Sequence, residues 1–461
     1  MLSKIISTFA VSLALILCSL PVMAQLAPPQ PLPNNVPGLL VKANEAYIAK
    51  DHQTFRLVLE KLHEMRPNNS DYMYQLVIAR ALLDDKPRAY ELMLKMQQQG
   101  LSYDFTKSEA TVGIRDTQVF EYVNDLMIKA GEPMGESEPV VTLADDVRMP
   151  QAIAWDKTRE RFLIGTAHEG SIVAVGKDGK STELLKANDE NGLWAIFDIL
   201  VDHANNRLWV TSAATPQFVR YSVADKGRSA LFEFNLETLE LLNRYAVPVD
   251  GRSHILGSMV QSPNGDIYIA DRFLPIVYRK SVAEVKLEAA MGFKDMISMR
   301  GVAMQPDGRI MYIADREMGI LVIDVVGGRA AKLAIPDTLN IGGIDGLYVW
   351  NNRLIVVQNG ISPQRVMRLQ LDATGTKVES VRPLAVSQPD FDLPSFGTVQ
   401  GEDLYYFGNS QVRAGEANPK PVIILRTPLD SNQDLVQPDM QQFMEQMEKS
   451  GRTLPEKAGN N

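Results

Sequence analysis

Two stretches, GSMVQSPNGDIYIAD at 257–271 and GVAMQPDGRIMYIAD at 301–315, are copies of one pattern. Each runs as an apolar strand, a short polar turn and a second strand with an aromatic residue at its centre. Weaker copies lie at 152–166, 199–212, 346–358 and 397–409. Taking Phe162, Trp209, Tyr268, Tyr312, Ile355 and Tyr405 as equivalent gives steps of 47, 59, 44, 43 and 50 residues. A repeat of roughly 40–50 residues made of short strands marks a β-propeller blade. One such sheet cannot bury both of its faces alone. The expected fold is therefore mostly β: a six-bladed ring over residues 140–429, preceded by a small all-α domain.

Working outward, 132–139 reads as a linker with turn chemistry. Residues 37–131 carry helical periodicity, with apolar residues at three- and four-residue steps: Phe55, Leu59 and Leu62, then Met73, Leu76, Val77 and Ala81. Lys50-Asp51 and Asp84-Asp85 end comparable helices 34 residues apart, a period resembling tetratricopeptide repeats, with a third pair expected to end in 117–129. A small bundle propping the ring and a peptide-binding solenoid both fit this pattern. Residues 25–36 form a Pro-rich leader. Residues 1–24 read as a cleaved signal peptide: Lys4, an apolar core from Ile5 to Leu17, then Val22-Met23-Ala24. The tail from 430 to 461 is polar, with one short amphipathic stripe of Met440, Phe443, Met444 and Met447.

Composition sets limits. The single cysteine, Cys18, falls within the signal peptide, so the mature chain has no disulfide, thiolate metal site or cysteine nucleophile. A net charge of −9 leaves no basic surface for nucleic acid. Beyond the leader, no run reaches the roughly 18 apolar residues of a membrane span. The expected location is the periplasm or the exterior.

In a propeller the start of each inner strand and the end of the second strand share one rim. Inner strands then bring Gln151, Asp198, His254, Arg300 and Asp345 to that rim. Second-strand exits bring His168, Asp271, Arg272, Asp315, Arg316, Asn359 and Asn409. The long second blade adds 213–229, placed to cover the mouth. An Asp just after a strand commonly bonds its own turn amides, which is the plain expectation for Asp271 and Asp315. His168 and His254 lack a second histidine at metal spacing. Asp198, set between apolar residues in WAIFDI (194–199), is a costly place for a charge unless paired. Asp345, in GGIDGL (342–347), has small neighbours that let a ligand approach the backbone.

At these residues the chain resembles the gluconolactonase/senescence marker protein superfamily, related to NHL-repeat and strictosidine-synthase-like propellers. The resemblance covers roughly 140–428, and its most specific piece is Asp345-Gly346-Leu347. It implies that Asp345 binds a divalent cation, calcium or zinc, and acts as general base in lactone hydrolysis, with Asp198 and Gln151 as further ligands. Gln151 stands where the family has Glu, and Phe197-Asp198-Ile199 where it has Asn-Asp-Gly. Calcium wants six to eight oxygens, more than this set supplies.

Two functions follow. One is an exported binding or scaffold protein, taking a small molecule at the mouth through Arg300, His254, His168, Arg272 and Asn359, or a protein partner through the helical domain. The other is a metal-dependent hydrolase of a lactone or related ester, with Asp345 as its base. No Ser-His-Asp constellation or nucleophile elbow is present.

Overall fold

The computed structural model describes residues 31–412 and 419–431. The expected signal peptide, the leader up to residue 30 and the stripe at 440–447 lie outside the described residues. Among those described, no helix is long and apolar enough to cross a membrane.

Six antiparallel sheets follow one another along the chain at 150–186, 195–246, 256–292, 299–332, 344–386 and 397–428, each beginning with its innermost strand. The inner strands meet around a closed ring. The sixth sheet draws only three strands from its own stretch, and its outer strand is Glu138–Thr142, from the start of the propeller. Val141 lies opposite Ile424 and Thr142 opposite Ile423, joining the first and last strands of the ring. The ring is sealed by backbone hydrogen bonds rather than by side-chain packing alone. The expected linker is also largely ordered. Met134–Gly135 pairs with Val386 and Ala385 as a fifth strand on the fifth blade, and Gly135 holds φ +78°, where a Cβ would strike the Leu384 carbonyl.

In each of the first five blades the register slips near the start of the inner strand, leaving an extra residue there. Such bulges re-aim side chains at rims. The sixth blade can be aligned with them through the hydrogen bonds of Phe407 with Ser395 and Phe396. On that alignment Leu163 and Leu404 stand level with Trp209, Tyr268, Tyr312 and Ile355. Phe162 and Tyr405 are therefore one residue away from the equivalence read in the sequence. The strand of Phe162 is buried on both faces, so no alternation marks its frame, and in the sixth blade the partly exposed Tyr405 stands beside the buried Leu404 and Tyr406.

The α-domain holds α1 (Val36–Ile48), α2 (His52–Met65), α3 (Ser70–Ala81), α4 (Lys86–Gln98) and α5 (Gln118–Lys129). The first four form two hairpins 34 residues apart. The repeat extends to their turns: Lys50 and Asp84 both have positive φ, and Asp51 N and Asp85 N bond back to Ala46 O and Arg80 O. Leu59, Leu62, Met93 and Met96 fill matching core positions. The third pair is only half helical. Before α5 come two short 3-10 turns, where Asp104 and Thr111 side chains bond nearby backbone in competition with an α-helix.

This domain is fastened to the rim at the fourth and fifth blades. Arg66 pairs with Glu317 at 2.7 Å, and Ser102 N donates to Ser362 O at 2.8 Å. Arg365, from the fifth blade, donates to Gln99 O at 3.0 Å, just past the end of α4, while Ile361 enters the helical core.

Candidate functional site

The rim is built from two rings of equivalent positions. The bulge ring consists of Gln151, Phe197, Gly257, Arg300, Asp345 and Phe396, one per blade. The exit ring lies one residue past the end of each second strand, and its charged or polar members are Arg272, Arg316 and Asn359, in three successive blades. Asp271 and Asp315 set this second ring. Asp271 Oδ1 accepts from Phe273 N and Leu274 N, and Asp315 Oδ1 from Glu317 N and Met318 N. Both carboxylates are fully buried and cap their own turns, so the arginine that follows each is turned inward.

Asp345 is engaged from three sides. Arg316 Nη1 lies 2.6 Å from Oδ1, Asn359 Nδ2 donates to Oδ2 at 2.6 Å, and Arg300 Nε stands 3.8 Å away. Asp198 sits one register step deeper in the channel wall. Its Oδ2 accepts from Met259 N at 2.7 Å, on the neighbouring inner strand, and its Oδ1 from Ile199 N at 2.9 Å. In the next blade Ser258, at the equivalent position, accepts from Val302 N at 3.2 Å. Asp198 thus stitches one blade to the next, as a serine does beside it. Burial pushes its carboxyl up to about 7, against the two amides and the Arg272 charge.

Arg272 lies across the middle of the ring. Its guanidinium is 4.9 Å from the Phe197 ring and 4.6 Å from the Phe396 ring, held between blades two and six. It passes over Gly257, where a Cβ would come within 2.7 Å of Arg272 Cγ and Nε. Glycine at that one bulge makes room for the arginine. Burial, with Arg300 beside it, pushes the Arg272 pKa down to about 9, still protonated at neutral pH. Arg272 separates a channel cavity of about 380 Å³, lined by Asp198 and Asp345, from a mouth cavity of about 620 Å³.

Gln151, Phe197, His254, Arg272 and Arg300 line the mouth. Loop 214–227 contributes Thr215, Gln217, Tyr221 and Lys226, so the long second blade does cover it. His168 is not among the lining residues. Its Nδ1 donates to Gln217 O at 2.9 Å, anchoring that loop, while Nε2 faces Arg148 at 3.2 Å. His254 is buried between carboxylates, Nδ1 2.8 Å from Asp271 and Nε2 3.1 Å from Asp250. A third cavity, of about 410 Å³, lies where Asn68, Asp71 and Tyr103 of the helical domain meet Arg316 and Asn359.

The geometry revises the metal set. Each expected donor is already engaged: Asp345 by Arg316 and Asn359, Asp198 by two amides, and Gln151 Oε1 by Arg272 Nη1 at 3.3 Å. A dication would also sit beside the guanidinium groups of Arg272, Arg300 and Arg316. Among the described residues, no three His, Cys, Asp or Glu side chains cluster as ligands. The residues present do not fit calcium or zinc, and Asp345 is placed as an ion-pair partner. Sequence reasoning missed Phe197 and Phe396, whose signal is their place on the bulge ring, and Thr215, which left none.

No protein-family model matches the chain, and no curated protein does. Among solved structures it is similar to regucalcin, a calcium-binding protein from Agrobacterium tumefaciens, at 14% identity and TM-score 0.44 over 62% of this chain and 92% of that one. It is also similar to virginiamycin B lyase from Staphylococcus aureus, at 15% identity and TM-score 0.41 over 60% and 82%. Aldose sugar dehydrogenase from Streptomyces coelicolor, in its PQQ-bound form, gives 12% identity and TM-score 0.43 over 64% and 100%. Likeness at this level assigns neither ligand nor reaction.

Proposed function

We propose that this chain is an exported binding protein. Its propeller mouth, covered by loop 214–227, holds a small molecule, while the helical domain forms a fixed flank and the surface for any protein partner. The observation that carries this reading is the engagement of Asp345 by Arg316 and Asn359 beside a roomy, partly covered mouth cavity. Covered concave cavities with a few convergent polar groups are the usual form of small-molecule sites. A carboxylate already paired with a guanidinium is a poor base and a poor ligand for a hard cation. Export enters from the leader at 1–24.

The test is calorimetric titration of the full chain with calcium and with zinc, paired with a panel of small lactones. The expected outcome is no saturable metal binding below millimolar concentration and no metal-dependent turnover. Stoichiometric micromolar binding, with turnover lost in Asp345→Ala, would replace this reading with the hydrolase.

A further inference from the structure

The mouth carries more positive charge than its own carboxylates neutralise. Arg272, Arg300 and Lys226 line it, no carboxylate is among its lining side chains in the described residues, and Asp345 and Asp198 face the channel beyond Arg272. Asp345 is taken chiefly by Arg316, and no carboxylate of the described residues lies within ion-pair distance of Arg272. A buried, unpaired cation is costly, and contacts with two rings offset only part of that cost.

Arg272 is also short of hydrogen bonds. A guanidinium has five N–H donors, and this one makes two long contacts, to Gln151 Oε1 at 3.3 Å and Phe197 O at 3.4 Å. Its Nε has no partner among the described residues, although the residue is only 7% exposed. A second, independent signal comes from the covering loop. Thr215 is 5% exposed, lines the same cavity, and its Oγ1 is likewise without a partner. Much of the remaining wall is apolar, with Phe197, Ile255, Phe273 and Ile297.

We infer that the mouth cavity takes a small organic monocarboxylate, its carboxylate shared by Arg272 and Arg300 and its apolar body lying against Phe197, Phe273 and Ile297. This rests on the binding reading above. A singly charged head suits the site better than a phosphate dianion, because Phe197, Phe273 and Ile297 in the wall penalise the second charge.

The experiment is calorimetry of the full chain with octanoate and phenylacetate, their primary amides, and phenyl phosphate. The acids are expected to bind one per chain and the amides at least tenfold more weakly. Arg300→Gln, at a half-buried site, should lower acid affinity tenfold or more and amide affinity by much less. Because Arg272 replacements risk the fold, Gly257→Ala serves as the second variant: its Cβ displaces Arg272 and should weaken the acids similarly. Equal binding of acids and amides, indifference to both variants, or preference for phenyl phosphate overturns the carboxylate assignment and leaves the binding reading standing. If acids, amides and phenyl phosphate all fail to bind the folded chain, the mouth is no small-molecule site and both inferences fall.

Discussion

At the scale of single residues, Asp198 is the most informative side chain, because its chemistry and its structural duty can be separated. Its sequence surroundings, a carboxylate among apolar residues, pointed to a functional group. The structure gives it the task that Ser258 performs one blade further on, a hydrogen bond to the next inner strand. The raised pKa has a consequence of definite sign. The native carboxyl keeps its proton up to about pH 7, whereas the unfolded chain loses it near 3.8. Between these values the native state holds more protons, so stability should fall as pH rises from about 4 to 7 and then level off. Asp198 is only part-buried, which discounts the effect to roughly 1–2 kcal/mol. Asp198→Ser should fold and remove this slope while keeping the interblade bond. Urea midpoints at pH 5, 6, 7 and 8 give the comparison, and an unchanged slope would assign the pH dependence to another group.

At the scale of elements, the contact between the end of α4 and the fifth blade is the most buried polar link of the helical domain to the ring. Arg365 is buried, donating to Gln99 O, Asn340 O and Gln358 Oε1. A cation at a helix C-terminus is favoured by the helix dipole, and its removal strands buried carbonyls. Arg365→Met should cost about 2–4 kcal/mol by loss of these charge-assisted bonds. It should also expose 132–137 to limited proteolysis; a fragment pattern like the wild type would show that Arg66 and Ser102 suffice. None of this was legible in the sequence, since Arg365 and Gln99 lie 266 positions apart and neither stands in a motif. What could be read were local periods: the blades from their repeated hairpins, and the 34-residue helix pairs from their turns. The rim positions followed once strand direction was fixed. Of the bulge ring, Gln151, Arg300 and Asp345 were read as rim positions, but Phe197, Gly257 and Phe396 were not, because a bulge shifts the frame by one residue without a turn residue to mark it. The metal set at Asp345, Asp198 and Gln151 came from the family resemblance, while Phe197 and Phe396, which hold Arg272, were passed over.

At the scale of the whole molecule, the propeller behaves as one object only when its ends are joined. Glu138–Thr142 supplies the outer strand of the last blade, with Val141 and Leu143 buried there. Val141→Asp places a charge in that seam and should cost more than about 3 kcal/mol. It should also broaden a single thermal transition into two, seen by calorimetry; one sharp transition at the wild-type temperature would mean that the seam contributes little. The seam has a temporal consequence too. Glu138 meets Arg426 across 288 positions, so the circle stays gapped until the strand Ile423–Pro428 has been synthesised. Five sheets can form in passing, but an emerging polypeptide holds an open arc with a bare edge at each end. Closure is therefore the last step of assembly, made when Ile423–Pro428 meets the strand Glu138–Thr142.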